Sequence, residues 1–467
     1  MAAVDTRHPL GVIAPESLGS AAFRSVYGLK YAYCAGAMYK GIASKELVVA
    51  MGRAGLIGFL GSGGLSLEKI EAAIVHIQAE LADGQAYGMN LLANLDQPDL
   101  EERTVDLFLR HGVRNIEAAA FMQITPSLVR YRLKGLTRRA DGGVNAANRI
   151  IGKVSRPEVA EVFMRPAPPA LVAKLLAAGK VTTEEAELSS EVPMAHDICI
   201  EADSGGHTDQ GVALVLMPAM RALCDTIQRE LGYGEPMRLG AAGGIGAPDA
   251  AAAAFVMGAD FIVTGSINQC TVEAGTSEAV KDLLQTMNVQ DTAYAPAGDM
   301  FELGAQVQVL RKGVLFAVRA NKLYELYQRH DSLDEIDEKT RTQIQEKYFK
   351  RSFDAVWSET RAYYASHHPA KLAAFEKSPK QKMAAIFRWY FVHATRLAMQ
   401  GSEEQKVDYQ VQCGPALGAF NQWVKGTALE SWRERRAASL GEMIMQGAAQ
   451  VLNERFAIFR QEPRDAA

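Results

Sequence analysis

The residues Ile200 to Asp209, I-E-A-D-S-G-G-H-T-D, place one histidine, His207, after two glycines at the end of an apolar run. Ile198, Cys199, Ile200 and Ala202 read as a buried strand, and Ser204, Gly205 and Gly206 break it into a loop whose backbone can approach a ligand closely. A histidine on such a loop can donate a proton or hydrogen-bond a reacting group near neutral pH. A lone histidine is more often structural, so the weight of the reading rests on the elements that must position this one.

Those elements alternate. From Tyr31 short apolar runs are followed by helical patterns: YAYCAGA, a helix over Ser44 to Ala54, LIGFLGS, a helix over Leu67 to Leu81, YGMNLL, a helix over Leu100 to His111, NIEAAAF and RIIGKVS. The spacing then stretches through P-A-P-P, a helical run Leu171 to Ala178 and the capping-box pair Thr182 and Glu185, which predicts a helical insertion at 157–195 over the barrel mouth. The rhythm resumes with DICIEADSG, a helix over Leu214 to Leu231, RLGAAGG, a helix over Pro248 to Met257, and FIVTGS. Eight strands separated by helices predict an α/β fold, a (β/α)8 TIM barrel with functional residues on the loops after the strands. An open doubly wound sheet would carry G-x-G-x-x-G after its first strand, whereas this strand ends in C-A-G-A-M.

The seventh and eighth strands end in Gly243-Gly244-Ile245-Gly246 and Thr264-Gly265-Ser266, and loops there commonly bind phosphate through backbone N–H groups. Gly36-Ala37-Met38 offers an uncluttered backbone to a flat ring, Asn90 can hydrogen-bond a ring edge, and Lys153 can neutralise a phosphate or a negatively charged ring. These residues suit either a flavin mononucleotide or a phosphorylated substrate.

At 467 residues the chain exceeds the roughly 250 to 300 residues of a single core, which predicts two domains. The boundaries read as an N-terminal arm at 1–28, the barrel at 29–318 and a C-terminal, largely helical region at 319–467. That last region carries all four tryptophans, Trp357, Trp389, Trp423 and Trp432. A net charge of −4 with 22% charged residues gives no basic excess for nucleic-acid binding. Five cysteines without metal-ligand spacing predict a reducing compartment and no metal; with neither a signal peptide nor a membrane span legible, a cytoplasmic location is expected.

Taken together, C-A-G-A-M, G-I-A-S-K-E-L-V, Y-G-M-N, the lysine of G-K-V-S, D-S-G-G-H, A-A-G-G-I and T-G-S resemble the flavin barrels of the nitronate monooxygenase and FabK-type enoyl reductase superfamily. F-M-Q-I-T-P-S-L-V-R-Y-R, E-A-D-S-G-G-H-T-D, D-M-F-E-L-G, K-L-Y-E-L-Y and D-Y-Q-V-Q-C-G-P-A-L-G-A-F-N are more closely similar to the PfaD family. Those are the discrete enoyl reductases of polyunsaturated fatty acid synthases and trans-acyltransferase polyketide synthases. The likeness runs from about Leu18 to Gly426.

The resemblance implies FMN at the barrel mouth, its phosphate on Gly243, Gly244, Gly265 and Ser266 and its ring against Gly36, Ala37 and Met38, with Asn90, Lys153, Asp203, Gly205 and Gly206 also at the cofactor. It implies NADPH as hydride donor, an enoyl thioester on an acyl carrier protein as substrate, and His207 or an ordered water as proton donor. Homodimer formation is left open. Between Glu117 and Asp141 there is no acidic residue, whereas Arg130, Arg132, Lys134, Arg138 and Arg139 fall there; the cluster suits either an acidic carrier protein or the phosphate of NADPH, or else is an ordinary solvated face or partners acids elsewhere. Two rival readings are a nitronate monooxygenase-like flavin enzyme on a small free substrate and a noncatalytic scaffold subunit.

Overall fold

The computed structural model describes residues 12–94 and 97–459. The chain divides into two compact units: one of 1–203, 210–275 and 427–467, the other of 204–209 and 276–426.

The first unit is built on eight parallel strands: β1 Tyr33–Ala35, β2 Ile57–Leu60, β3 Gly88–Leu92, β4 Asn115–Ala119, β5 Arg149–Val154, β6 Asp197–Glu201, β7 Arg238–Ala242 and β8 Phe261–Thr264. They close into a barrel, β8 pairing with β1. All eight predicted strands are present. Because side chains alternate along a strand, one set points inward. Cys34, Ile57, Phe59, Ile151, Cys199, Phe261 and Val263 share one buried cluster at the centre.

The N-terminal segment, whose role the sequence does not reveal, closes the barrel from below. Its helix Ala21–Tyr27 is capped by the Ser20 hydroxyl. Phe23 stacks on Phe261 with ring centroids 4.2 Å apart, and the Tyr27 hydroxyl donates to Asp197 at 2.6 Å. Asp197 and Phe261 begin their strands, so the plug fills the end opposite the expected mouth. Asp197 also pairs with Arg238 at 2.5 Å.

The predicted boundary at 318/319 is corrected. After β8 comes the four-residue helix Ser266–Gln269; the chain leaves this unit at 275, returns at 427 and ends in helix Ala437–Phe459. That helix packs on helices Pro248–Val256 and Lys45–Arg53 and on β1. Gly441 and Gly447 allow the approach, since a Cβ there would lie 2.7 Å from Tyr33 and 2.5 Å from Pro248. The residues 437–459 thus supply the eighth helix of the barrel, and the second unit is an insertion between β8 and that helix.

The predicted helices of 157–195 exist, as Pro157–Met164, Pro169–Ala177 and Thr183–Leu188, the last with the expected capping box. Their placement over the mouth is overturned. The Glu185 carboxylate accepts from Gly135 N–H at 2.8 Å and pairs with Lys134 at 3.2 Å, next to the hairpin Leu136–Arg138/Val144–Ala146 that leads into β5. These helices therefore lie among the connections entering the strands, at the end away from the loops that follow them.

The second unit is not purely helical. It contains a hairpin of β9 Thr292–Pro296 and β10 Gln306–Leu310, and the two-residue strand Gly206–His207 pairs antiparallel with β10. Helices Phe316–Arg329, Phe353–His367 and Pro379–Gln400 cover it around a core that includes Phe301, Phe316, Tyr390 and Phe391. The buried Asp408 accepts from the Tyr390 hydroxyl at 2.7 Å and pairs with Arg319.

Candidate active site

At the strand ends that precede the functional loops, the inward positions turn polar. Two residues beyond the core positions Gly88, Asn115, Ile151 and Cys199 stand Asn90, Glu117, Lys153 and Glu201, on β3, β4, β5 and β6. Lys153 Nζ lies 3.0 Å from Glu201 and 3.5 Å from Glu117. The Glu117 carboxylate also accepts from Ala37 N–H at 2.7 Å, and its backbone carbonyl accepts from the Asn90 carboxamide at 3.0 Å. One buried residue, Glu117, thus ties together the three stretches expected at a flavin ring: Gly36-Ala37-Met38 and Lys153 through its carboxylate, and Asn90 through its backbone carbonyl.

Burial disfavours the Lys153 ammonium, but the charges of Glu201 and Glu117 outweigh it and hold its pKa well above the ordinary lysine value. Burial also raises the Glu117 carboxyl, and Lys153 opposes this without cancelling it. Glu117 stands in no glycine motif, and Glu201 opens E-A-D-S-G-G-H-T-D without being a candidate there; the signal of both is a charged residue at an inward position of an otherwise apolar strand.

The glycines of the expected site fall into two classes. A Cβ on Gly244 or Gly265 would meet nothing within 4 Å, so both leave open backbone after β7 and β8. Ser266 opens the short helix that follows Gly265. Others are glycine because the protein fills the space. A Cβ on Gly243, where φ is +86°, would lie 2.5 Å from the Ala202 carbonyl, and one on Gly36 would lie 2.8 Å from Val263. Met38 is half-buried, with its carbonyl against Gly61. Asp203 ends the first unit's segment, its N–H donating to the Gly211 carbonyl at 2.8 Å.

The open backbone at Gly244 and Gly265, the adjacent strands β7 and β8 in register, and the carboxamide and ammonium of Asn90 and Lys153 fit a phosphate and a flat polar ring edge. The Ala37 amide does not take part in that fit, because Glu117 accepts its hydrogen. Among the described residues there is no group of three or more His, Cys, Asp or Glu that could hold a metal ion.

His207, Gly205 and Gly206 belong to the second unit. His207 pairs in register with Val307, and its Nε2 lies 2.9 Å from Asp299 Oδ1. Partial desolvation by its neighbours acts to raise the Asp299 carboxyl, but the hydrogen bond and charge of His207 outweigh it and hold its pKa below the ordinary value. Asp299, which begins D-M-F-E-L-G, is thus the acid that orients the histidine. A Cβ on Gly205 would lie 2.6 Å from the Cys413 backbone, and Gly206 has φ +90°, so packing within this unit accounts for both glycines.

Of the readings left open for the basic cluster, the structure shows partnership with acids elsewhere. Arg132 is fully buried and donates to the carbonyls of Pro193 at 2.9 Å and Asn148 at 3.0 Å. Arg130 pairs with Asp106, Arg138 with Glu191 and Arg139 with Glu235, at 2.5, 2.6 and 2.8 Å. With Lys134 on Glu185, every member is spoken for.

The enoyl reductase domain of MlnA, from the macrolactin biosynthesis cluster of Bacillus amyloliquefaciens, is a solved structure that matches with a TM-score of 0.92 at 46% identity, over 95% of this chain and 99% of that one. The chain belongs to the family of that domain. The polyketide biosynthesis protein PksE of Bacillus subtilis (strain 168) is 59% identical over 444 residues, which cover 95% of this chain and 57% of PksE. The chain therefore spans a little over half the length of that relative. FabK from Thermotoga maritima, 15% identical with a TM-score of 0.54 over 94% of this chain and 98% of that one, shares the fold. The inserted helical domain of acyl-carrier-protein S-malonyltransferase matches residues 330–409, inside the second unit of this family member. Among the described residues no helix is long and apolar enough to cross a membrane.

Proposed function

We propose that the chain is an FMN-dependent enoyl reductase that uses NADPH to reduce the α,β-double bond of an enoyl thioester carried by an acyl carrier protein. The setting we infer is polyketide assembly, since PksE is a polyketide biosynthesis protein and the MlnA domain is an enoyl reductase of a macrolactin biosynthesis cluster. The observation that carries the reading is the end-to-end match to the MlnA domain, 99% of that chain at a TM-score of 0.92.

FMN bound at the barrel mouth would supply hydride to the β-carbon after reduction by NADPH. The chain's own residues hold and orient. Backbone N–H groups at Gly244, Gly265 and Ser266 take the phosphate. Asn90 and Lys153 address the ring edge, and Glu117 and Glu201 keep Lys153 charged and in place. The α-carbon needs a proton. In this reading His207 gives it, with Asp299 at its Nε2 fixing the ring.

Anaerobic stopped-flow of the purified protein tests this. Rapid bleaching of flavin absorbance by NADPH, then reoxidation on mixing with a crotonyl thioester on an acyl carrier protein, is the expected result. Slow bleaching by NADPH with rapid bleaching by a nitronate would overturn it in favour of the oxidase reading. Absence of flavin from the purified protein would favour a scaffold.

A further inference from the structure

With the Arg130–Arg139 cluster consumed by internal partners, the exposed positive charge of the second unit stands out. Helix Pro379–Gln400 contains Lys380, Lys382, Arg388 and Arg396 and no acidic residue in its 22 positions. Positions 382, 389, 393 and 396 follow the spacing of one helical face, about 20 Å long at 1.5 Å per residue. On that face Trp389 stacks with His393, ring centroids 4.5 Å apart, and Val392 beside it is exposed.

A second basic segment meets it. Lys347, Lys350 and Arg351 lie in K-Y-F-K-R, and the Arg351 guanidinium sits over the Trp389 ring at 5.5 Å. Lys382 lies over Trp357 at 4.9 Å. Some charges here are matched: Arg351 pairs with Glu359, Arg388 with Glu302 and Lys380 with Asp331. Lys347, Lys350, Lys382 and Arg396 have no acidic partner among the described residues. Two half-buried indoles, each overlaid by a cation, hold those cations along a face whose exposed apolar residue is Val392, a composition that steers a charged partner.

We infer that Lys347, Lys350, Arg351, Lys382, Trp389 and Arg396 form the docking face for an acidic helix of the carrier protein that delivers the thioester. The inference rests on the proposed function for the identity of its partner. Charge complementarity sets the chemistry: acidic side chains on successive turns of the partner match cations spaced along the helix, and an apolar residue between them meets the exposed Val392. Such a contact raises the encounter rate and weakens with salt.

The test uses the FMN-loaded full chain with two substrates, a crotonyl group on an acidic acyl carrier protein and the same group on N-acetylcysteamine. Lys350→Glu with Arg396→Glu is expected to raise KM for the carrier-bound substrate about tenfold and to leave the small thioester unchanged. The milder pair Lys350→Gln with Arg396→Gln is expected to do the same to a lesser degree. Equal KM values for wild type and both variants on the carrier substrate would overturn the inference, as would equal losses on both substrates. Titration of holo acyl carrier protein, followed by tryptophan fluorescence, reads docking without turnover. Salt-sensitive binding lost in the variants supports the face even where the reductase reading fails. Binding to phosphatidylglycerol vesicles but not to carrier protein would overturn it.

Discussion

The barrel mouth and the histidine strand carry the two halves of the proposed chemistry in opposite environments. Glu117 and Lys153 expose 2% and 15% of their side chains, whereas His207 and Asp299 expose 47% and 66%. The groups proposed to orient the cofactor are buried in a network anchored on four strands. The proposed proton donor stays in contact with solvent, beside Asp299 and in a strand pairing. The fold therefore spends rigidity where orientation matters, and the same substitution chemistry should have very different consequences in the two places.

The largest effect is expected at the mouth. Lys153→Ala leaves Glu117 and Glu201 facing each other without their cation, and breaking such a buried pair typically costs about 3–5 kcal/mol. Urea denaturation should show that loss, with a fall in flavin retained through gel filtration. Full stability and full flavin content in this variant would erase the contrast between the regions. At the histidine the expected effect is on rate. His207→Ala should lower kcat about a hundredfold, the lower end of general acid catalysis, with flavin content and stability close to wild type. A variant that instead loses flavin would make His207 part of the cofactor site.

A smaller effect separates the buried end of the barrel from the exposed histidine. His196 lies beside the Arg238–Asp197 pair, and burial, reinforced by Arg132, Arg238 and Arg149, pushes its imidazole well below the ordinary value of 6.5. The folded protein keeps it neutral while the unfolded chain binds a proton below about pH 6.5, so this contribution to stability is present above that pH and lost as pH falls. The slope is at most about 1.4 kcal/mol per pH unit. Thermal unfolding at pH 7.5, 6.5 and 5.5 should show a decline in wild type that His196→Gln flattens; an unchanged slope in the variant would assign the decline to other groups.

Much of this architecture was legible because the signals are local. Each barrel strand is a short apolar run bounded by turn residues, and Ser44, Ser66 and Thr182 cap helices where a hydroxyl precedes an apolar period. Gly244 and Gly265 stood out as turn residues at the correct strands. The β9–β10 hairpin was passed over although Q-V-Q-V-L alternates with period two, because the helical patterns around it dominated that stretch.

What the sequence could not decide was partnership. It presents Arg130 to Arg139 as an acid-free basic run, and only folding brings Asp106, Glu185, Glu191 and Glu235 to those cations. It presents Gly205 beside a histidine, and only the fold lays the Cys413 backbone against it. Likewise the eighth barrel helix lies more than 160 positions after the strand it follows in space, with a whole unit between them. Element type follows from periodicity and capping within a few residues of chain. Charge pairing, close backbone contact and chain return join residues far apart in sequence, so they are fixed by tertiary packing alone.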